Sequence, residues 1–521
     1  MDLPLLPYLA QARSASPLWV VAGYLGLLLV FSVFSGRVLR RTSSDYFVAS
    51  RSIGPFLLLM SVFGTTMTAV ALVGSTGKAY DRGIGVYGLL ASTSGIVHSL
   101  VFFLVGIKLW AIGKRHGFVT QIQYFRSRFD SNGIGYLLFP ILVGLVIPYL
   151  LIGIVGAGAV IKGVTRGMFP DTFDAGAIPP SITGAVVCGV VLCYVLVGGV
   201  RAAAWANAAQ TIVFMIVGVI AFILISDKLG GMKAASEAVA NNESTSELLA
   251  REPIGKLQFL TYLFIPLSVG MFPHLFQHWL TARSAKTFRV TVIAHPIFIM
   301  VVWAPCVLIG IWAAGHGITA PGGNSNAILA KMVGTLLQSP FLTGLLTAGI
   351  LAAIMSSLDS QFVCLGTMFT HDIVVHAAGK DRFNDGQKVL LGRGFILLVV
   401  LITYLLSLLD PANIFDLAVW CFSGFASLFP LVFASLYWRR VTREGAIACV
   451  LVTAITWAIL FWIGLLGPAI AGERSSEDFL PGGVMPVTIM FAASTIALVG
   501  VSLLTKPMSP KIIEKFFVVQ D

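Results

Sequence analysis

The sequence predicts an all-α polytopic membrane protein of about thirteen transmembrane helices, and three observations carry that prediction. Of its 521 residues 57% are hydrophobic and only 11% are charged. A globular domain carries roughly a quarter charged residues, so so apolar a chain needs lipid rather than water around it. The apolar residues come in runs of about twenty, the length that crosses about 30 Å of hydrocarbon. Lysine and arginine gather in the stretches that follow every second run. That is the pattern of cytoplasmic loops.

In chain order the runs fall near 17–36, 55–76, 83–112, 134–163, 181–200, 204–226, 257–282, 288–315, 340–372, 390–408, 412–437, 444–466 and 483–505. Their even spacing makes residues 1–521 one membrane domain, where length alone would suggest several soluble ones. The basic clusters are Arg37/Arg40/Arg41/Arg51, Lys114/Arg115/Arg126/Arg128, Arg201, Arg283/Lys286/Arg289, Lys380/Arg382/Lys388 and Arg439/Arg440/Arg443. Loops 229–256 and 468–482 are poorer in basic residues, which puts the N-terminus outside and the C-terminus in the cytoplasm. The expected location is a plasma membrane or a bacterial inner membrane. Asn242-Glu243-Ser244 forms a glycosylation sequon on the outer side.

Composition also excludes classes. The net charge of +11 sits in short clusters between apolar runs, so topology and anionic headgroups explain it and no nucleic-acid partner is expected. Cys188, Cys193, Cys306, Cys364, Cys421 and Cys449 form no CxxC pair, so neither a disulfide framework nor a zinc site is indicated. No basic region precedes the first run and Arg37 follows it, which favours a retained first helix over a cleaved signal. No soluble output domain is expected after residue 505. Gly156-Ala157-Gly158 lacks the third glycine of a dinucleotide loop and lies inside a span. No acid/base or metal set converges inside the spans, so no enzyme is expected.

Two stretches carry chemistry. Gly64-Thr65-Thr66-Met67-Thr68 lies mid-span, where Gly and clustered Thr favour unwinding that frees carbonyls for a cation. The same residues also suit a helix-packing surface. In Ala353-Ile354-Met355-Ser356-Ser357, positions 353, 356 and 357 share one helix face. A carbonyl and two hydroxyls there suit a small monovalent cation, whereas a divalent ion would call for carboxylates. Both serines can instead bond back to the preceding turn.

The chain resembles the sodium/solute symporter family across roughly residues 40–440. The resemblance rests on Ser44 through Arg51, on Gly74 through Tyr80, on Gly198-Gly199-Val200-Arg201-Ala202 with Trp205 and Gln210, and on Ala352 through Gln361. It implies a LeuT-like five-plus-five inverted repeat over 55–226 and 257–437, with 17–36 and 444–505 as additional helices. It also implies Na+ as the coupling ion, held by the carbonyls of Gly64, Met67 and Ala353 and the hydroxyls of Ser356 and Ser357. Many relatives carry Thr-Asp where this chain has Ala206-Asn207, an acid tied in the family to a second cation or an ion exit path, so one sodium per cycle is expected.

For the solute, Thr65, Thr66 and Thr68 are expected to line a pocket beside the unwound helix. His98 and His274 are candidates because ionisable groups inside a membrane are functional by default, though either can equally satisfy a neighbouring carbonyl. Tyr149 and Gln277 are further candidates. Met271-Phe272-Pro273-His274 and the Trp110–Thr120 stretch look most like the monocarboxylate and pantothenate branches, which implies a small carboxylate. Arg126 and Arg128 are expected to snorkel or to mark the cytoplasmic face, and Asp359 either to hold a cytoplasmic network or gate or to be a solvated helix end. The alternative is a proton-coupled or other-family carrier of the same fold, moving an amino acid, sugar or other small solute. Such a carrier usually places Lys or Arg where sodium would sit, and here both hydroxyls remain.

Overall fold

In the computed structural model, residues 15–517 are described except 39–41, 338, 380–381, 410–413 and 471–479. Arg40, Arg41 and Lys380 of the basic clusters therefore lie outside the described residues. The structure is a bundle of helices: α1 (Ser16–Val38), α2 (Pro55–Thr66), α3 (Val70–Arg82), α4 (Gly85–His116), α5 (Asn132–Thr165), α6 (Pro180–Lys228), α7 (Lys256–Gly270) and α8 (Pro273–Thr281). It continues with α9 (Ala285–Gly315), α10 (Pro340–Ala378), α11 (Asp385–Ser407), α12 (Ile414–Tyr437), α13 (Arg443–Leu466) and α14 (Pro486–Leu504). Among the described residues, nine helices can each cross a bilayer, or eleven spans if the bent pairs α2–α3 and α7–α8 count as one each.

The remaining spans come from α1 and from α6. At 49 residues α6 would reach about 74 Å if straight, more than twice a hydrocarbon core. It does not run straight. Gly199 adopts φ 56° and ψ −150° inside it, a conformation open essentially to glycine alone. The chain reverses there, so that Tyr194 lies beside Gln210. Counting α6 as two crossings and adding α1 gives the thirteen read from the apolar runs. The run at 257–282, read as one span, is interrupted between α7 and α8 by a 50° bend.

The reversal at Gly199 is held by charge. It brings Arg201 against Asp45 of the short helix Ser43–Val48, where Nε and Nη2 meet Oδ1 at 3.0 and 2.5 Å. Nη2 also donates to the Ala49 carbonyl at 2.9 Å. Asp45 is fully buried, and a bidentate guanidinium is what makes such burial tolerable. Two of the sequence stretches behind the family resemblance thus meet as one ion pair.

The loops sort to opposite ends of the bundle. At one end, Arg51 donates to the Phe118 carbonyl at 2.6 Å, Ser43 Oγ to Asp385 at 2.9 Å and Lys515 to Ser127 at 2.9 Å. At the other, Ile84 N–H donates to Leu248 at 2.7 Å and Trp312 Nε1 to Ser236 at 3.1 Å. The described basic clusters lie at the first end. α10 and α12 are the most buried of the long helices, whereas α11, α13 and α14 face mostly outward. α1 packs on α6 and α10, and α13 and α14 pack as a pair beside α12.

Two arginines depart from the snorkelling expectation. Arg128 is buried and donates from Nε to the Ser435 carbonyl at 2.9 Å. Arg126 lies 3.7 Å from the buried Asp372. Both are drawn into the protein instead of extending to water, at the end of the bundle where the basic loops gather.

A Cβ at Gly199 would strike the Tyr46 carbonyl and ring. Gly199→Ala should therefore destabilise the protein by about 1–3 kcal/mol, read as a lower unfolding midpoint in detergent. An unchanged midpoint would mean that the reversal does not depend on glycine there.

Candidate functional site

The first half of the site is the gap between α2 and α3, where the axis bends by 58°. Helical geometry ends at Met67, whose φ is −88° and ψ 87°. The flanking threonines absorb some of the freed backbone. Thr66 Oγ1 donates to the Phe63 carbonyl at 2.9 Å, and Thr68 Oγ1 accepts from the Val70 N–H at 3.1 Å. The Met67 carbonyl is left without an amide partner among the described residues. Gly64 lets α2 lie close to α6, since a Cβ there would come within 2.5 Å of Thr211 Oγ1.

The Gly64 carbonyl turns instead to α10. Ser356 Oγ lies 2.7 Å from it and 2.8 Å from the Ala353 carbonyl. A hydroxyl has one proton, so it can serve only one of these carbonyls at a time. Two carbonyls and a hydroxyl therefore converge, joining stretches 292 residues apart. Ser357 Oγ donates to the Ile354 carbonyl at 2.9 Å, the back-bonded arrangement open to any membrane serine. Ser356 and Ser357 are both buried.

The second half is the gap between α7 and α8, with Phe272 in extended geometry before Pro273. Both gaps border a cavity of about 470 Å³. Thr66 and Thr68 reach it from the first gap, and Ser268 and Phe272 from the second. His98 of α4, Tyr149 of α5, Trp303 of α9 and Phe422 of α12 close its sides. No Asp, Glu, Lys or Arg is among its walls. A larger cavity of about 550 Å³ beside α6, α9 and α10 is lined only by apolar residues and glycine, with no polar side chain to orient a solute.

Of the solute candidates, then, Thr66, Thr68, His98 and Tyr149 stand in the cavity wall. Thr65, His274 and Gln277 do not. Thr65 is buried with Oγ1 unpartnered. His274 lies behind the wall, stacked on Phe272 at 5.2 Å and edge-on to Tyr149 at 5.6 Å. Gln277 ties elements together, donating from Nε2 to the Phe47 carbonyl at 2.7 Å and to Thr367 Oγ1 at 2.8 Å.

Asp359 is not at a solvated helix end. It is fully buried on α10. Ser360 Oγ donates to it at 3.1 Å, and Tyr194 lies beside it. With its amide nitrogen facing the carboxylate, Asn207 donates at 3.0 Å to both Asp359 oxygens and to the Ser356 carbonyl. The region around Asn207 is thus not short of an acid; α10 supplies one where α6 does not.

The sequence reading missed His295 and Trp303. His98 Nδ1 lies 3.1 Å from His295 Nε2, and Trp303 stands two turns further along α9. A histidine before Pro296, in the middle of an apolar run, was the available signal for the first. Nothing marked Trp303, because tryptophan is unremarkable in a membrane span.

Comparison with known proteins agrees with this architecture. Residues 46–453 match the family described as the sodium:solute symporter family. The chain is 26% identical over 490 residues to the sodium/proline symporter of Haemophilus influenzae, covering 91% of this chain and 92% of that one. It is also 26% identical over 497 residues to the high-affinity proline transporter of Bacillus subtilis, at 92% and 97% coverage. Among solved structures, a Na+-coupled sialic acid symporter in a substrate-bound outward-open state aligns with TM-score 0.71 at 18% identity, covering 94% and 98% of the two chains. A nucleobase-cation-symport-1 family transporter, closed around bromovinylhydantoin, aligns with TM-score 0.55 at 14% identity over 90% and 97%. At these identities the structural likeness establishes the fold, which is LeuT-like.

Gly64→Ala should overpack the α2–α6 contact, at about 1–3 kcal/mol. Adding Thr211→Ala removes the colliding atom and should recover most of the lost unfolding midpoint. If the double variant stays as unstable as Gly64→Ala alone, the close approach is not what the glycine provides.

Proposed function

This chain belongs to the sodium:solute symporter family, and from that premise we propose that it imports a small amino acid, proline first among the candidates, by alternating access. It is a sodium-coupled solute symporter of the membrane. The ion would sit where α2 breaks against α10, on the carbonyls of Gly64, Met67 and Ala353 and the hydroxyls of Ser356 and Ser357. The observation that carries this reading is the convergence of the Gly64 and Ala353 carbonyls on Ser356 Oγ. A cation bound by the two carbonyls and by a lone pair of Ser356 Oγ, with the hydroxyl proton turned away, would satisfy all three oxygens at once. Ser357 Oγ would have to turn from the Ile354 carbonyl to join them.

The solute would occupy the cavity between the two broken helices. Its walls carry no formal charge, yet interrupted helices present positive N-terminal ends and negative C-terminal ends. Such a surface suits a zwitterion better than a net anion. The relatives named as proline transporters point the same way. Proline keeps the carboxylate expected from the sequence and adds an ammonium group, so the earlier expectation narrows to an amino acid.

Coupling follows from linkage. The break at 64–68 would contribute Gly64 and Met67 to the ion and Thr66 and Thr68 to the solute, so each ligand orders the segment the other needs and each favours the other's binding. Membrane potential adds about 2.3 kcal/mol per charge per 100 mV to inward movement. The two repeats would span 55–226 and 257–437, with α1, α13 and α14 outside them. The gathering of basic loops at one end supports a cytoplasmic assignment for that end, with the N-terminus outside.

The test is uptake of labelled L-proline into proteoliposomes with an inward sodium gradient, beside a panel of other amino acids, sugars and carboxylates. Accumulation should require sodium and collapse when potassium replaces it. Equal uptake in both salts would overturn the coupling. Sodium-driven uptake of another solute in place of proline would overturn the substrate.

A further inference from the structure

We propose that His98 and Trp303 form the carboxylate subsite of the solute cavity, with His295 as the positioning residue that fixes which nitrogen of His98 carries the proton. The proposal rests on the reading of that cavity as the solute site and adds which residues recognise the solute's acid.

The argument starts from His295. It is fully buried, with Phe63 edge-on at 5.4 Å and Phe102 at 5.0 Å. Its Nε2 faces His98 Nδ1 at 3.1 Å, and its Nδ1 has no partner among the described residues. A neutral imidazole carries one N–H, and the pair can share its proton in two ways. If His98 donated, the His295 proton would sit on Nδ1 as a buried N–H with no acceptor, an arrangement folded proteins rarely leave. If His295 donates from Nε2, only a lone pair is left unpaired on its Nδ1. The second arrangement wins.

The consequence reaches the cavity. With Nδ1 of His98 acting as acceptor, its one proton belongs to Nε2, the nitrogen free for the cavity that His98 lines. His98 is thereby made a donor, held in one tautomer by a residue that does not itself line the cavity. Trp303 supplies independent support. Its indole lines the same cavity from the same helix as His295, and its Nε1–H is buried with no acceptor. Indole can only donate. Two donors, one fixed in its tautomer and one unpartnered, belong to side chains that line a cavity with no cationic side chain among its described walls. What they match is an acceptor-only group, and a carboxylate is that group on a small amino acid.

The experiment uses full-length protein in proteoliposomes and sodium-driven uptake of labelled L-proline, with unlabelled L-proline and L-prolinamide as competitors. The panel amino acids, each with its own amide, extend the comparison to any other substrate found. The wild-type protein should prefer acid over amide by about 10- to 100-fold, the range for hydrogen bonds to a charged group. His98→Leu should bring that ratio close to 1 by weakening the acid alone, and Trp303→Phe should lower it. His98→Gln keeps an N–H near Nε2 and should retain most of the preference. His295→Leu should lose it and His295→Gln, which can still donate to His98, should restore it, a rescue that mere packing would not produce. An unchanged ratio in His98→Leu, or equal weakening of acid and amide in all variants, would overturn the proposal. Sodium-driven uptake confined to solutes without a carboxylate would also overturn it, while leaving the sodium coupling intact.

Discussion

A helix interrupted inside hydrocarbon has to hand its freed carbonyls and amides to something, because no water is there to take them. Much of this structure follows from that constraint at Met67. The carbonyl of Gly64 goes to Ser356 of α10, the threonines on either side bond locally, and Met67 keeps a bare carbonyl. The deep burial of α10 makes sense in this light, since it carries the oxygen partner for the break. The second interruption, before Pro273, meets the first across a shared cavity. The result is a polar interior assembled from backbone rather than from charged side chains.

The ion pairs are kept elsewhere. The buried pair Asp45–Arg201 and the Arg126–Asp372 contact both lie toward the end of the bundle where the basic loops gather. Removing one member of such a pair strands the other in low dielectric, so these contacts brace that end firmly. The polar groups of the cavity walls are hydroxyls, an imidazole and an indole, set among aliphatic and aromatic side chains. The solute cavity can thus accept a charged solute with no charged side chain in its described walls to displace.

How much of this could be read from the chain varies with the physics behind each feature. The spans were legible because bilayer thickness imposes a length that one-dimensional hydropathy records. The reversal at Gly199 was legible as a short gap between two runs, and its cause, a conformation reserved for glycine, became visible only in three dimensions. The break at Gly64–Thr68 was suggested by composition, whereas its pairing with Ser356 came only from family resemblance, since contacts across 292 residues leave no local pattern. The solvated alternative for Asp359 failed because an acid alone in a sequence looks solvated, and burial belongs to the packed neighbours Tyr194, Asn207 and Ser360. His295 was passed over for a related reason: its importance lies in facing His98, and a single sequence does not record who faces whom.

The central claim is that a sodium ion joins α2 to α10 at Ser356 and Ser357, and the most direct measurement is equilibrium binding of radioactive sodium to the purified protein. Wild-type protein should bind the ion saturably, with unlabelled sodium competing and potassium not. The double variant Ser356→Ala/Ser357→Ala should weaken that binding at least about tenfold, equivalent to about 1.4 kcal/mol, with a sodium-free unfolding midpoint close to that of wild type. Unchanged affinity in a folded double variant would contradict the account.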